Sequence, residues 1–148
     1  MTPRVLFHPG GLRPIEAVAS FSFTVPGQPI AWARAGSFNG RRFTPARMRD
    51  YQKEVRFHAV EAAPDDWPLD HAKGYRVRVA VYLGNRRRAD LDNFAKSITD
   101  ALQGRRDPAG GWKVPPIAYD DDTRIVELHA LKLFDQCDPR VLVEVETL

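Results

Sequence analysis

Cysteine is almost absent: Cys137 is the only one in 148 residues. An internal disulfide is therefore excluded, and so is a zinc site built on paired thiolates, since both need a second sulfur. A reducing, intracellular setting fits this usage. Long apolar runs are missing too. No stretch approaches the ~20 apolar residues that cross a bilayer, so no membrane partner is expected. Pro3, Pro9 and Pro14 interrupt the N-terminus, which lacks the continuous apolar core of a secretory signal. A large excess of one charge is also missing: 22 Lys and Arg stand against 19 Asp and Glu, a net charge of +3.

What remains is a chain that is 43% hydrophobic and 28% charged, enough for one domain with a real core. The sequence pI near 9.2 permits a nucleic-acid partner without requiring one. The charge distribution says more. Between Trp32 and His58 lie Arg34, Arg41, Arg42, Arg47, Arg49, Lys53 and Arg56, against only Asp50 and Glu54. Arginines interleaved with Trp32 and Phe38 suit nucleic acid, with guanidinium on phosphate and rings free to stack on bases. A surface loop with one anchoring aromatic fits those rings equally well. A basic helix face is more often solvated than bound, and that is the plain reading of Arg47, Arg49, Lys53 and Arg56.

The densest chemistry lies in Arg86-Arg87-Arg88-Ala89-Asp90-Leu91-Asp92-Asn93-Phe94-Ala95-Lys96. Leu91, Phe94, Ala95, Ile98, Ala101 and Leu102 recur at helical spacing, which predicts an amphipathic helix. Asp92, Lys96 and Asp100 step by four and share the opposite face. Asp92 suits the N-cap and Gly104 the stop. Carboxylates suit Mg²⁺, which usually takes one or two of them plus water and substrate phosphates. Arginine supplies a fork that matches phosphate oxygens. A capped helix with a solvated charged face explains the same residues, and a D-x-D with a lysine does not decide between the two. A second acidic cluster, Asp120-Asp121-Asp122, precedes an apolar segment. Three adjacent aspartates repel unless something cationic meets them. Two acidic clusters, each opening a regular element, can converge on one metal.

The remaining elements follow from pattern. Phe21 to Val25 alternates as a half-buried strand, and Tyr75 to Leu83 is the clearest strand. Pro45 to about Ala62 reads as a helix, capped by Thr44, with Met48, Tyr51, Val55, Ala59 and Ala62 as its buried stripe. Thr123 to about Phe134 is a strand apolar in both phases, which predicts a central position. Val141, Val143 and Val145 alternate in a last strand. His129 is read as structural, not as a ligand. Arg105 to Pro116 reads as a long flexible loop, and residues 1–19 as an extended or flexible arm ahead of a domain over residues 20–148. The order strand, helix, strand, helix, strand, strand predicts an α+β fold: a single β-sheet with two main helices on one face.

Asp90-Leu91-Asp92-Asn93 with Lys96, then Asp100-Ala101-Leu102, then Tyr119 to Glu127, resemble the RusA family of Holliday junction resolvases. Gly27-Gln28-Pro29-Ile30, Arg34, Phe43-Thr44-Pro45 and Tyr51 resemble its opening strand, basic loop and first helix. The resemblance covers roughly Phe21 to Phe134. It implies a mixed sheet and a homodimer acting on branched DNA, the four-way junction, in recombination and repair. It implies Mg²⁺, with Mn²⁺ as the alternative, held by Asp90, Asp92 and Asp122 with Asp121 assisting. Lys96 would stabilise the transition state. Arg34, Arg41, Arg42, Arg86, Arg87 and Arg88 would contact DNA. A cytoplasmic, bacterial or phage-encoded enzyme is implied. Two positions depart from the pattern: Ala89 stands where a basic residue often precedes the first aspartate, and Ala35-Gly36 follow Arg34 in place of a second arginine. A broader nuclease on flaps or forks, a junction-binding protein without activity, and a small-molecule phosphoesterase are the other functions these residues could serve.

Overall fold

Tyr75 to Leu83 carries a strict alternation, and the strand it forms is the spine of the fold. The computed structural model describes residues 5–8, 11–14, 19–34, 36–38, 40–43, 45–86 and 89–148. In chain order the strands are β1 (Val5–His8), β2 (Gly11–Pro14), β3 (Ser20–Pro26), β4 (Gly36–Phe38), β5 (Arg41–Phe43), β6 (Tyr75–Leu83), β7 (Arg105–Arg106), β8 (Trp112–Val114), β9 (Ile125–Phe134) and β10 (Arg140–Thr147). Helix α1 spans Ala46–Ala62 and α2 spans Leu91–Leu102.

The main sheet has the order β3-β10-β6-β9. β10 runs antiparallel to both of its neighbours, with Val143 opposite Phe23 on one side and Val79 on the other. β6 and β9 are parallel, and α2 supplies the crossover that parallel neighbours require. One phase of β3, β6 and β10 points to the helices. Phe21, Phe23, Val25, Val77, Val79, Val81, Leu83, Val141, Val143 and Val145 are all buried there. α1 covers them with Tyr51, Val55 and Ala59, and α2 with Phe94, Ile98, Ala101 and Leu102. Each fully buried branched or aromatic side chain contributes about 1.5–3 kcal/mol of apolar transfer. Trp67 closes the core at the foot of β6 and donates its indole N–H to the Ala118 carbonyl at 2.9 Å.

Several sequence expectations are corrected. β9 is an edge strand rather than a central one, because β10, the last strand in the chain, inserts between β3 and β6. Neither of its apolar phases is buried, with Val126 67% and Leu128 50% accessible in one and Leu131 62% and Leu133 38% in the other. β9 also begins at Ile125, after a 3-10 turn over Asp122–Arg124. The segment from Arg105 to Pro116 is no plain loop: β7 and β8 pair in a hairpin, whose tip turns through Gly110 and Gly111 at φ 108° and 75°, angles that side-chain-bearing residues rarely adopt. Within the N-terminal arm, β1 and β2 form a second hairpin, and β4 and β5 form a third. Pro45 occupies the N-cap of α1, one residue later than expected; Thr44 lies outside the described residues. Asp90, not Asp92, occupies the N-cap position of α2, and that helix ends at Leu102, before Gly104. Among the described residues, no helix is long and apolar enough to cross a membrane.

Candidate functional site

The opening loop builds the site's near wall. Gln28 accepts the Gly84 backbone N–H at 2.9 Å, and the Gly27 N–H donates to the Pro139 carbonyl at 3.0 Å. A Cβ on Gly84 would come within 2.9 Å of that same Gln28 oxygen, so a side chain there would displace Gln28 from this bond. Further along, the Trp32 N–H donates to the Asn93 carbonyl at 2.9 Å. These bonds lay residues 27–34 across the start of α2. Arg34 is exposed on this loop. Arg86 is exposed as well, and its guanidinium lies 4.8 Å from the centre of the Phe134 ring. The side chains of Phe38, Arg41 and Arg42, and the whole of Arg87 and Arg88, lie outside the described residues.

α2 presents the first acids. The Asp90 carbonyl accepts the Asn93 and Phe94 N–H groups at 3.1 and 3.4 Å, while its carboxylate makes no capping bond. Asp92 is exposed in the first turn and accepts the Asn93 N–H at 3.0 Å. Both carboxylates sit at the positive end of the helix dipole, which stabilises their charge. One turn along, Lys96 Nζ lies 3.5 Å from the Asp100 carboxylate and 5.2 Å from the centre of the Trp32 ring. The lysine is thus held between an anion and an aromatic face.

The three adjacent aspartates have three different occupations. Asp120 forms a two-point ion pair with Arg124, which holds its carboxyl below the usual range. Asp121 caps the 3-10 turn by accepting the Thr123 N–H at 2.9 Å, and that bond lowers its pKa. Asp122 is committed to neither task. Its backbone N–H donates to the Gln103 side chain at 3.0 Å, and its charge acts on the Asp100 carboxyl. Burial pushes the Asp100 carboxyl up, Lys96 opposes that shift, and the Asp122 charge adds to it. Beneath them Tyr119, fully buried, donates its hydroxyl to the Thr99 carbonyl at 2.9 Å. Burial raises that phenol well above its ordinary value. The Ile117 and Ala118 N–H groups donate to the Leu102 carbonyl, and the Gly104 N–H donates to that of Asp120. The acidic turn is therefore stitched to the end of α2.

The structure brings Asp100 and Asp122 to the C-terminal end of α2, leaves Asp90 with Asp92 at its start, and sets Lys96 midway, paired with Asp100. From Asp92 to Asp100 the helix rises about 12 Å, at ~1.5 Å per residue. Among the described residues, no three His, Cys, Asp or Glu side chains gather closely enough to hold an ion. His129 is exposed and pairs with Glu127 at 2.6 Å. The donor chemistry nonetheless fits Mg²⁺. The carboxylates stand in pairs, and Mg²⁺ needs only one or two of them beside water and phosphate. Sequence reasoning gave Asp100 no role, although its spacing of four from Lys96 was the available signal. Gln103 could not be found that way, because its contact is with the backbone of a distant turn.

A family model described as Endodeoxyribonuclease RusA matches residues 26–146. No curated protein matches the chain. The match takes in the opening loop, both helices, the acidic turn and all but the end of the last strand, and with it the chain belongs to the RusA family of Holliday junction-resolving endodeoxyribonucleases.

Proposed function

We propose that the protein is a Mg²⁺-dependent endonuclease that resolves four-way DNA junctions by paired, symmetric nicks during recombination and repair. The observation that carries this reading is Lys96. It is fixed against Asp100 and Trp32, with a carboxylate pair at either end of its helix. Of the three expected ligands, Asp90 and Asp92 at the start of α2 would hold Mg²⁺ or Mn²⁺, with Asp122 at the far end of the helix; bound there, the ion would lower the pKa of a water and offset charge on the phosphate. Asp121, already used as a turn cap, would assist at most. Lys96 then faces the phosphate and neutralises charge that builds on it as water adds. Water adds at phosphorus, the bond to the 3′ oxygen breaks, and the proton passes to that oxygen, leaving a 5′ phosphate. Arg34 and Arg86, with Arg41, Arg42, Arg87 and Arg88, supply phosphate contacts.

Paired nicks need two sites related by two-fold symmetry, and a homodimer provides them with one kind of interface. The apolar residues exposed on β9 and Leu142 on β10 support an interface built from the sheet rather than from residues 1–19. Light scattering should give a dimeric mass, and Leu131→Asp should lower it to that of one chain. The single cysteine agrees with a cytoplasmic setting.

One observation favours a second reading, a junction-binding protein without activity: the Asp90–Asp92 pair and Asp122 stand at opposite ends of α2. Labelled four-way junction and linear duplex, each with Mg²⁺ and with EDTA, separate the two. The nuclease cuts the junction only with Mg²⁺ and spares the duplex. A pure binder cuts neither, and cleavage of forks and flaps at the junction rate would mark a broader nuclease.

A further inference from the structure

Between α1, α2 and the β7–β8 hairpin runs a groove of about 550 Å³, whose lining includes Trp32, Arg49, Lys53, Arg56, Asp100 and Arg105. We propose that this groove binds the phosphodiester backbone of a DNA strand as it leaves the Lys96 site.

Three features of the groove point to a polyanion. First, Arg49, Lys53 and Arg56 fall on one stripe of α1 at spacings of four and three. That stripe borders α2 and the hairpin along the groove, with Arg49 and Lys53 exposed there and Arg56 half-buried. Second, its cations are under-neutralised. Among the described residues no carboxylate lies within ion-pair distance of Arg49, Lys53 or Arg105. Asp100, the acid in the lining, is already paired with Lys96. Third, Arg56 has committed its guanidinium to the carbonyls of Ala101, Gln103 and Pro115. Its pKa is lowered by burial and then by the Arg105 charge. The fold therefore holds like charges close together, at a cost that a bound anion would offset.

The mouth of the groove gives the direction. Trp32 lines it and also carries Lys96 against its ring. A strand whose reacting phosphate faces Lys96 would pass over Trp32 and place its next phosphates among Arg49, Lys53 and Arg105. The indole offers a stacking face to an unpaired base at the crossing. That the occupant is a junction strand rests on the nuclease reading; the charge of the groove does not.

The test uses the full-length protein in EDTA, so that cleavage plays no part. Affinity for a labelled four-way junction is measured against salt for wild type and for the combined variant Arg49→Ala, Lys53→Ala, Arg105→Ala. The slope of log K against log salt should fall by about two to three units, close to one for each phosphate no longer neutralised. Arg49→Lys with Arg105→Lys should keep the wild-type slope, because charge is retained. Lys73→Ala, outside the groove, should leave the slope alone. An unchanged slope in the combined variant, or an equal loss per charge in Lys73→Ala, overturns the proposal. Displacement of junction by millimolar inorganic phosphate at constant ionic strength would also overturn it, by marking a small-anion site. A wild type that binds junction but never cuts it would fail the nuclease reading and leave this test standing.

Discussion

Arg56 is the residue whose loss has the most clearly defined cost. Its guanidinium reaches from α1 to the Ala101 carbonyl at 2.8 Å and the Pro115 carbonyl at 2.6 Å, with a weaker contact to Gln103 at 3.4 Å. Ala101 belongs to the last turn of α2, where carbonyls lack helical partners and a cation is favoured. Pro115 leads back from the hairpin toward the acidic turn. Arg56→Met keeps the aliphatic stem and removes the charge and all three hydrogen bonds. Two well-formed hydrogen bonds from a charged donor contribute about 1.5–3 kcal/mol each. Because the side chain is only half-buried, water can reach the freed carbonyls, and removing repulsion from Arg105 acts in the opposite direction. The net cost is therefore about 2–3 kcal/mol. Urea unfolding should show that loss as a lower midpoint at constant m-value, and heating as a fall of roughly 4–12 °C in Tm. Arg56→Lys should recover only part of it, since the two guanidinium nitrogens that serve different carbonyls become a single ammonium. A loss below about 0.5 kcal/mol, the scale of an ordinary surface change, would refute the claim that this side chain anchors the end of α2.

Lys96→Ala should lower the cleavage rate by at least about a hundredfold, the scale of one transition-state charge partner, with a much smaller change in junction affinity. Equal losses in both would reduce Lys96 to a phosphate anchor. Tyr51→Phe should leave stability unchanged or slightly higher, because the buried Tyr51 hydroxyl has no hydrogen-bond partner among the described residues and its removal ends an unreturned desolvation. Urea midpoints of the two proteins decide this, and a clear loss would reveal a partner. Asp135→Asn should flatten the acid limb of stability against pH. Arg140 holds the Asp135 carboxyl below its unfolded value, so its stabilisation is present above the unfolded pKa and is lost as pH falls through the folded one. Stability scans between pH 2 and pH 6, ~two units either side of the ordinary carboxylate pKa, should converge for the two proteins at the acid end and separate toward neutrality.

Much of the fold was legible because its signals are local. The alternation of Tyr75 to Leu83 and of Val141 to Val145, and the period of Leu91 to Leu102, each report one buried face. The position of β9 was not legible. Being apolar in both phases fits a central strand and an exposed edge equally, and the choice depended on β10 pairing with β3 and β6, both far from it along the chain. Hairpin β7–β8 was hidden because its strands are two and three residues long, too short for any period.

The candidate site divides in the same way. Lys96, Asp92 and Asp100 were bound together by helical spacing. The separate duties of Asp120, Asp121 and Asp122 came only from their partners Arg124, the Thr123 N–H and Gln103. Nor does spacing along the chain show that the two acidic clusters stand at opposite ends of α2, since that follows from the parallel pairing of β6 and β9.

The most direct measurement of the central claim pairs Asp92→Asn with wild type on a labelled four-way junction, following binding and strand cleavage together in Mg²⁺. Loss of the carboxylate removes an oxygen ligand and also removes repulsion of phosphate. The variant should therefore bind the junction as tightly as wild type or more tightly, and cut neither strand. An Asp92→Asn protein that nicks the junction at the wild-type rate would contradict the account.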